Sequence, residues 1–159
     1  YNCGSALLQL KRYSEALPHL LAARGFFKNA LEPDRVFYCD EYIAACYIEL
    51  NNSVEAMTYA QKALDFAITS QKHYLETWAR FRLGCAKILI CELDQAEDEL
   101  RQALSMNANA RNVDWDLALD IEQEIVKILM TKGQVAEANE ITRRLSSLKE
   151  IIEPKIAEN

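Results

Sequence analysis

The chain has 159 residues, half of them hydrophobic and 26% charged, with a formal net charge of −6 and only 4 Gly and 3 Pro. An acidic balance disfavours phosphate backbones and anionic membranes, and no run of about 18 apolar residues is present to cross a bilayer. Five cysteines (Cys3, Cys39, Cys46, Cys85 and Cys91) make an odd number without a Cys-x-x-Cys, so neither a redox motif nor a zinc site is indicated. They read as reduced, buried thiols of a cytoplasmic protein.

Few glycines and prolines predict long helices with short connections. The first helix is expected over 1–10 and the second over 14–30, with Pro18 near its start, where a missing N–H costs least. Glu32-Pro33-Asp34 is the first long break. A third helix over 35–50 ends in the turn Asn51-Asn52-Ser53. Asn52 with Glu55 three residues on reads as the capping box of a fourth helix over 54–69. A fifth is expected over 72–91, and Asp94 with Glu97 reads as the cap of a sixth that continues to 106. Residues 107–112 are the most loop-like stretch. A seventh helix covers 114–132, Gly133 suits a C′ position, and an eighth runs over 135–152 until Pro154 stops it.

These helices fall into a repeat. Ala16, Ala56, Ala96 and Ala138 recur at intervals of 40, 40 and 42 residues, each in a similar phrase. Twelve residues before each stand Gly4, Ala44, Gly84 and Val126; seven after stand Ala23, Ala63, Ala103 and Leu145. Small residues at such sites let two helix backbones cross closely. A fixed period in this range is the signature of a solenoid of stacked helical units, and solenoids present extended surfaces to partners.

The pattern resembles the tetratricopeptide repeat. The phrases that carry it are Cys3-Gly4, Ile43-Ala44, Leu83-Gly84 and Ile125-Val126 on the first helix of each pair, with Tyr47 as the one surviving aromatic a turn later and Pro33 closing the first repeat. The family's ordinary period is 34 residues. The longer period here is similar to that of kinesin light chains and of bacterial peptide-pheromone receptors of the Rap and PlcR type. The resemblance implies an all-α fold: eight helices, paired antiparallel and stacked as a right-handed superhelix. The four repeats are expected over 1–33, 34–72, 73–112 and 113–153 of a single domain. Tyr1 stands only three residues before Gly4, so the chain is expected to be a piece of a longer protein.

Little in the sequence points to chemistry. His19 and His73 lie on different repeats, without a cysteine or carboxylate at metal-ligand spacing. The acids Asp114, Asp116, Asp120, Glu122 and Glu124 lack the glycine-bearing turn of a calcium loop and read as a solvated helix start. No Gly-rich phosphate loop or nucleophile motif occurs. The reading is no enzyme, no metal and no cofactor.

The resemblance also implies where a partner binds, because the first helix of each pair lines the concave groove. Carried onto this sequence, the candidates are Tyr38, Glu41, Tyr42, Trp78, Phe81, Arg82, Gln123 and Lys127. Aromatic side chains with an arginine are a common hot-spot composition. Truncating Arg82 is expected to weaken binding with little loss of stability. The lysine–asparagine clamp of chaperone-binding members does not fit, because Ser5, Ala45, Cys85 and Lys127 hold its positions.

The expected function is a non-catalytic module that holds a peptide or protein segment, with no direct contact to nucleic acid or membrane. One alternative is the ligand-sensing and dimerisation domain of a bacterial transcription regulator whose helix-turn-helix lies upstream. Another is an assembly scaffold. The apolar stripe Ile141, Leu145, Leu148, Ile151 and Ile152 is the expected homodimer contact on the C-terminal helix.

Overall fold

The structure is a computed structural model that describes the backbone of residues 1–156 and the side chains of residues 1–146. Among the described residues there are eight helices and no strand. They are α1 (Asn2–Gln9), α2 (Tyr13–Asn29), α3 (Pro33–Glu49), α4 (Ser53–Thr69), α5 (His73–Leu89), α6 (Leu93–Ala108), α7 (Trp115–Thr131) and α8 (Val135–Ile156). Consecutive helices pack against each other along the whole chain.

The close crossings have a steric cause. A Cβ on Gly4 would stand 2.7 Å from Leu20 Cγ, and one on Gly84 would stand 2.7 Å from Leu100 Cγ. In the second pair Ala44 carries that methyl group, and Ala60 occupies the place of Leu20 and Leu100. The volume at the crossing is held nearly constant while its donor changes, as a close-packed interior requires. The four repeated alanines have no exposed surface.

The turns repeat more faithfully than their residues do. Lys11, Asn51, Cys91 and Gly133 close the first helix of each pair with φ of 58°, 58°, 60° and 76°, and Leu31 and Gln71 close α2 and α4 with 57° and 54°. The next N–H reaches back to close the last turn, Arg12 to Leu7, Asn52 to Tyr47, Glu92 to Lys87 and Gln134 to Leu129. This is a Schellman closure. It is adopted here even by residues that disfavour the left-handed region.

The core is a row of three clusters. One joins α1, α2 and α3 around Leu20, Phe27 and Ile43. A second joins α3, α4 and α5 around Phe37, Ala60 and Leu83. A third joins α5 to α8 around Leu100, Ile121 and Leu129. Contacts also run from α1 to α3, α3 to α5 and α5 to α7, whereas the backbones of α2, α4 and α6 stay farther apart, with α2 and α4 meeting through long side chains such as Arg24 over the Tyr59 ring at 5.7 Å. The first helices of the pairs therefore form the inner, tighter layer of the stack.

Several local expectations change. Pro18 lies in the second turn of α2, beyond the helix's free N–H groups, so it removes one ladder bond from Ser14. Pro33 opens α3 at its first position, where proline is pre-organised for a helix. Asn52 does cap α4 by accepting from the Glu55 N–H (3.3 Å). Asp94 does not cap α6, because that helix starts earlier, with Glu92 at its N-cap, directly after the left-handed Cys91. Val126 makes no tight crossing; it lines a cleft of about 330 Å³ between α7 and α8 with Gln123, Lys127, Thr142, Leu145 and Ser146. α8 continues through Pro154 to Ile156. Ile141 is half-buried and Leu145 buried. The side chains of Leu148, Ile151 and Ile152 lie outside the described residues.

Candidate interaction surface

The inner layer collects the expected residues into three patches. The central patch is built on an ion pair between α3 and α5, in which the Arg82 guanidinium donates to Glu41 Oε1. Glu41 is 3% exposed, and the Arg82 side chain 17%. The guanidinium also lies 4.9 Å from the Phe81 ring centroid and 5.9 Å from that of Trp78, and the two rings meet edge-to-face at 6.4 Å. Phe81 is buried, so it supports Arg82 from below, while Trp78 is half-buried and presents ring surface. Cys85 sits in the same region, and burial pushes its thiol up to about 12. It is a packing residue and not a nucleophile.

The second patch lies toward the N-terminal end. Tyr42 stacks on Tyr1 with centroids 5.7 Å apart. Tyr38 is 36% exposed and packs edge-to-face on Phe37 at 5.4 Å. Partial burial and a hydrogen bond with Tyr74 push the Tyr38 hydroxyl up to about 12. Tyr1, Asn2, Phe27, Arg35 and Tyr38 enclose a cleft of about 400 Å³.

The third patch is on α7. Gln123 and Lys127 are exposed, and the Lys127 ammonium donates to Glu124 at 2.6 Å. They share a cleft with Val126. Asp120, one turn earlier, is raised above the ordinary carboxylate value by desolvation and by the neighbouring acids Asp116, Glu124 and Asp114, against an opposing pull from Arg82. The field of Glu49 at the end of α3 reaches both Cys85 and Lys127.

Arg82 thus joins Glu41 on one side to Trp78 and Phe81 on the other. Tyr38 and Tyr42 belong to the aromatic patch, and Gln123 and Lys127 stand apart on α7. Tyr74 and Glu49 were missed by sequence reasoning. Their only signal was position, since each lies near a helix end, where the repeat phrase has already lost its register.

Two further apolar clefts lie between helix pairs, away from this layer. Each has a volume of about 420 Å³ and is walled on one side by an ion pair. Arg24–Asp40 closes the one lined by Phe27, Phe37 and Phe66, and Arg144–Glu122 the one lined by Leu104, Trp115 and Leu119. Among the described residues, no group of three or more His, Cys, Asp and Glu side chains is placed to hold a metal ion. No helix there is long and apolar enough to cross a membrane.

No family model matches the chain, and no curated protein matches it. Its fold matches a solved structure, that of RapI in its apo form. The TM-score is 0.80 at 13% identity, over 96% of this chain and 55% of that one. The chain therefore spans about half the length of RapI and shares its helical-repeat fold.

Proposed function

We propose that the layer formed by α1, α3, α5 and α7 holds an extended peptide or protein segment, and that the chain is a non-catalytic, tetratricopeptide-like interaction module of the cytoplasm. The carrying observation is the one-sided packing. The backbones of the first helices approach one another closely and those of the second helices do not, the latter meeting through long side chains such as Arg24 over the Tyr59 ring and Arg101 to Glu137, so the stack closes toward a face that carries aromatic, guanidinium and amide groups. On this reading Trp78 and Tyr38 supply ring surface, and Gln123 and Lys127 supply polar contacts. Glu41, Phe81 and Arg82 form the floor, and Tyr42 backs the aromatic patch. No nucleic acid or membrane is engaged by this face.

A peptide library screened against the purified chain tests the reading. Selected peptides should lose most of their affinity with Trp78→Ala, and Lys127→Glu should weaken them further, with the helical far-UV signal unchanged. Peptides indifferent to both substitutions would place binding elsewhere and remove the groove assignment.

A second reading is favoured by the likeness to RapI, of which this chain spans 55%. The chain would then be the sensing part of a larger regulator, in which a bound peptide changes the curvature of the stack and an upstream domain reads that change. Small-angle scattering with and without a selected peptide separates the two readings. A changed radius of gyration supports the sensor, and an unchanged one leaves the static module.

A further inference from the structure

The two apolar clefts of about 420 Å³ occupy the same place in the repeat. Val36, Phe37 and Asp40 line the N-terminal one, and Ala118, Leu119 and Glu122 stand at the same positions two repeats on and line the C-terminal one. In the repeat between them Glu76 and Thr77 hold the places of Val36 and Phe37, and Arg80 is tied to Glu76 at 2.8 Å and to Glu99 at 2.7 Å. That wall is polar, so the apolar cleft is a feature of the two outer steps.

The two clefts differ in charge. In the C-terminal one Glu122 is balanced by Arg144 alone, and Leu104 and Ala108 take the places of Arg24 and Lys28. In the N-terminal one Asp40 has Arg24 as its ion-pair partner, and Lys62, at the place of Arg144, adds a second positive field. Lys28 lines this cleft from an exposed position and makes no ion pair among the described residues. Glu32 at the rim is held by Arg35 at 2.8 Å. Arg24 donates to Asp40 through Nε and Nη2, and its Nη1 donates to no group among the described residues. Once Asp40 and Glu32 are neutralised, a surplus of positive charge is left around an apolar cleft, in a chain whose net charge is −6.

We propose that the N-terminal cleft binds a small carboxylic acid with an apolar body. Arg24 and Lys28 lie one turn apart on α2, so both cationic groups reach toward one carboxylate. The guanidinium has N–H donors left for it, and the Lys28 ammonium supplies the uncompensated charge. The apolar body packs against Phe27, Phe37 and Phe66, of which Phe27 and Phe37 are already buried and so are held in place. Mostly apolar walls with a few convergent polar groups are the usual make-up of a small-molecule site. The C-terminal cleft has the walls without the free cation and does not select an anion. The site lies away from the inner layer, so it stands or falls independently of the peptide groove.

Titrating the isotope-labelled chain with octanoate, followed by backbone amide NMR shifts, tests the proposal. Saturable shifts should centre on residues 24–40 and on Phe66. Octanol, with the same chain length and no charge, should bind several-fold more weakly. Lys28→Glu should weaken octanoate about ten-fold or more, since it sets a like charge against the carboxylate, and should leave octanol unchanged. Val36→Trp should fill the cleft and block both ligands. Ala118→Trp, the same change in the C-terminal cleft, should leave octanoate binding as it was. If Val36→Trp fails to fold, Lys28→Glu on the exposed rim still decides. Shifts that do not saturate, shifts centred on the C-terminal cleft or the inner layer, or equal affinity for octanoate and octanol would each overturn the proposal.

Discussion

At the scale of single residues, Arg82 shows how a side chain chosen for exposure becomes structural. Its charge neutralises Glu41, a carboxylate with 3% of its surface in water. Removing one partner of a buried pair leaves the other uncompensated, a loss of about 3–5 kcal/mol when both are fully buried. Arg82 keeps partial exposure, so Arg82→Ala should destabilise by about 3 kcal/mol, and Glu41→Gln in the same chain should recover part of this. Denaturant midpoints check it; an unchanged midpoint would mean that water replaces the guanidinium without loss. This reverses the expectation that truncating Arg82 spares stability.

Gly84 carries a second residue-scale prediction. Gly84→Ala places a methyl group 2.7 Å from Leu100 Cγ and 3.2 Å from the Ala96 carbonyl oxygen. Overpacking of this kind costs about 1–3 kcal/mol, and Leu100→Ala alone costs about 2–5 kcal/mol. Together they recreate the Ala44–Ala60 crossing of the second pair, so the double variant should be less destabilised than the sum of the two. Additivity would show that the crossings are not equivalent.

At the scale of the element, the turns are conformationally fixed and chemically permissive. Cys91 is exposed and stands at φ 60°, a region that disfavours residues with a Cβ by about 1–2 kcal/mol. Cys91→Gly should therefore raise stability by up to about 1 kcal/mol, after the entropy that glycine adds to the unfolded chain. Gly133→Ala should lower it. The thermal midpoints of the two variants should move in opposite directions, and parallel shifts would sink the argument. Helix existence was legible because apolar periodicity and the alanine phrases agree. Helix ends were less legible. The left-handed residues Lys11, Leu31, Gln71 and Cys91 carry no turn signature, and the Schellman bonds that hold them belong to the backbone.

At the scale of the molecule, the last two pairs are tied by a charge network. Glu97 on α6 accepts from Arg101 at 2.7 Å and from Lys132 at 2.9 Å, and Arg101 reaches Glu137 on α8 at 2.7 Å. Burial pushes the Glu97 carboxyl up, but the hydrogen bonds from Lys132 and Arg101 outweigh it and hold the group below its ordinary 4.5. A depressed carboxylate contributes stability above its unfolded value and loses it as pH falls through the folded one. Glu97→Gln should thus cost about 1 kcal/mol at neutral pH, the scale of a well-formed surface network. The gap to the unsubstituted chain should shrink below pH 4.5. A pH-independent gap would show that packing and not charge is lost.

The amino-acid sequence by itself determined the helical class, the pairing and the period. These rest on residue size and polarity at fixed spacing, which local physics reads directly. Gly4, Gly84 and the four alanines mark the crossings because only small side chains admit two backbones there. Tertiary structure alone decided which candidate side chains face water. Glu41 and Phe81 are buried and Trp78 half-buried on the same kind of helix face, because exposure depends on the neighbouring helix and not on spacing within one. The same holds for Gly25. Its surroundings are open, since a Cβ there would meet nothing within 4 Å, and only the folded chain shows that.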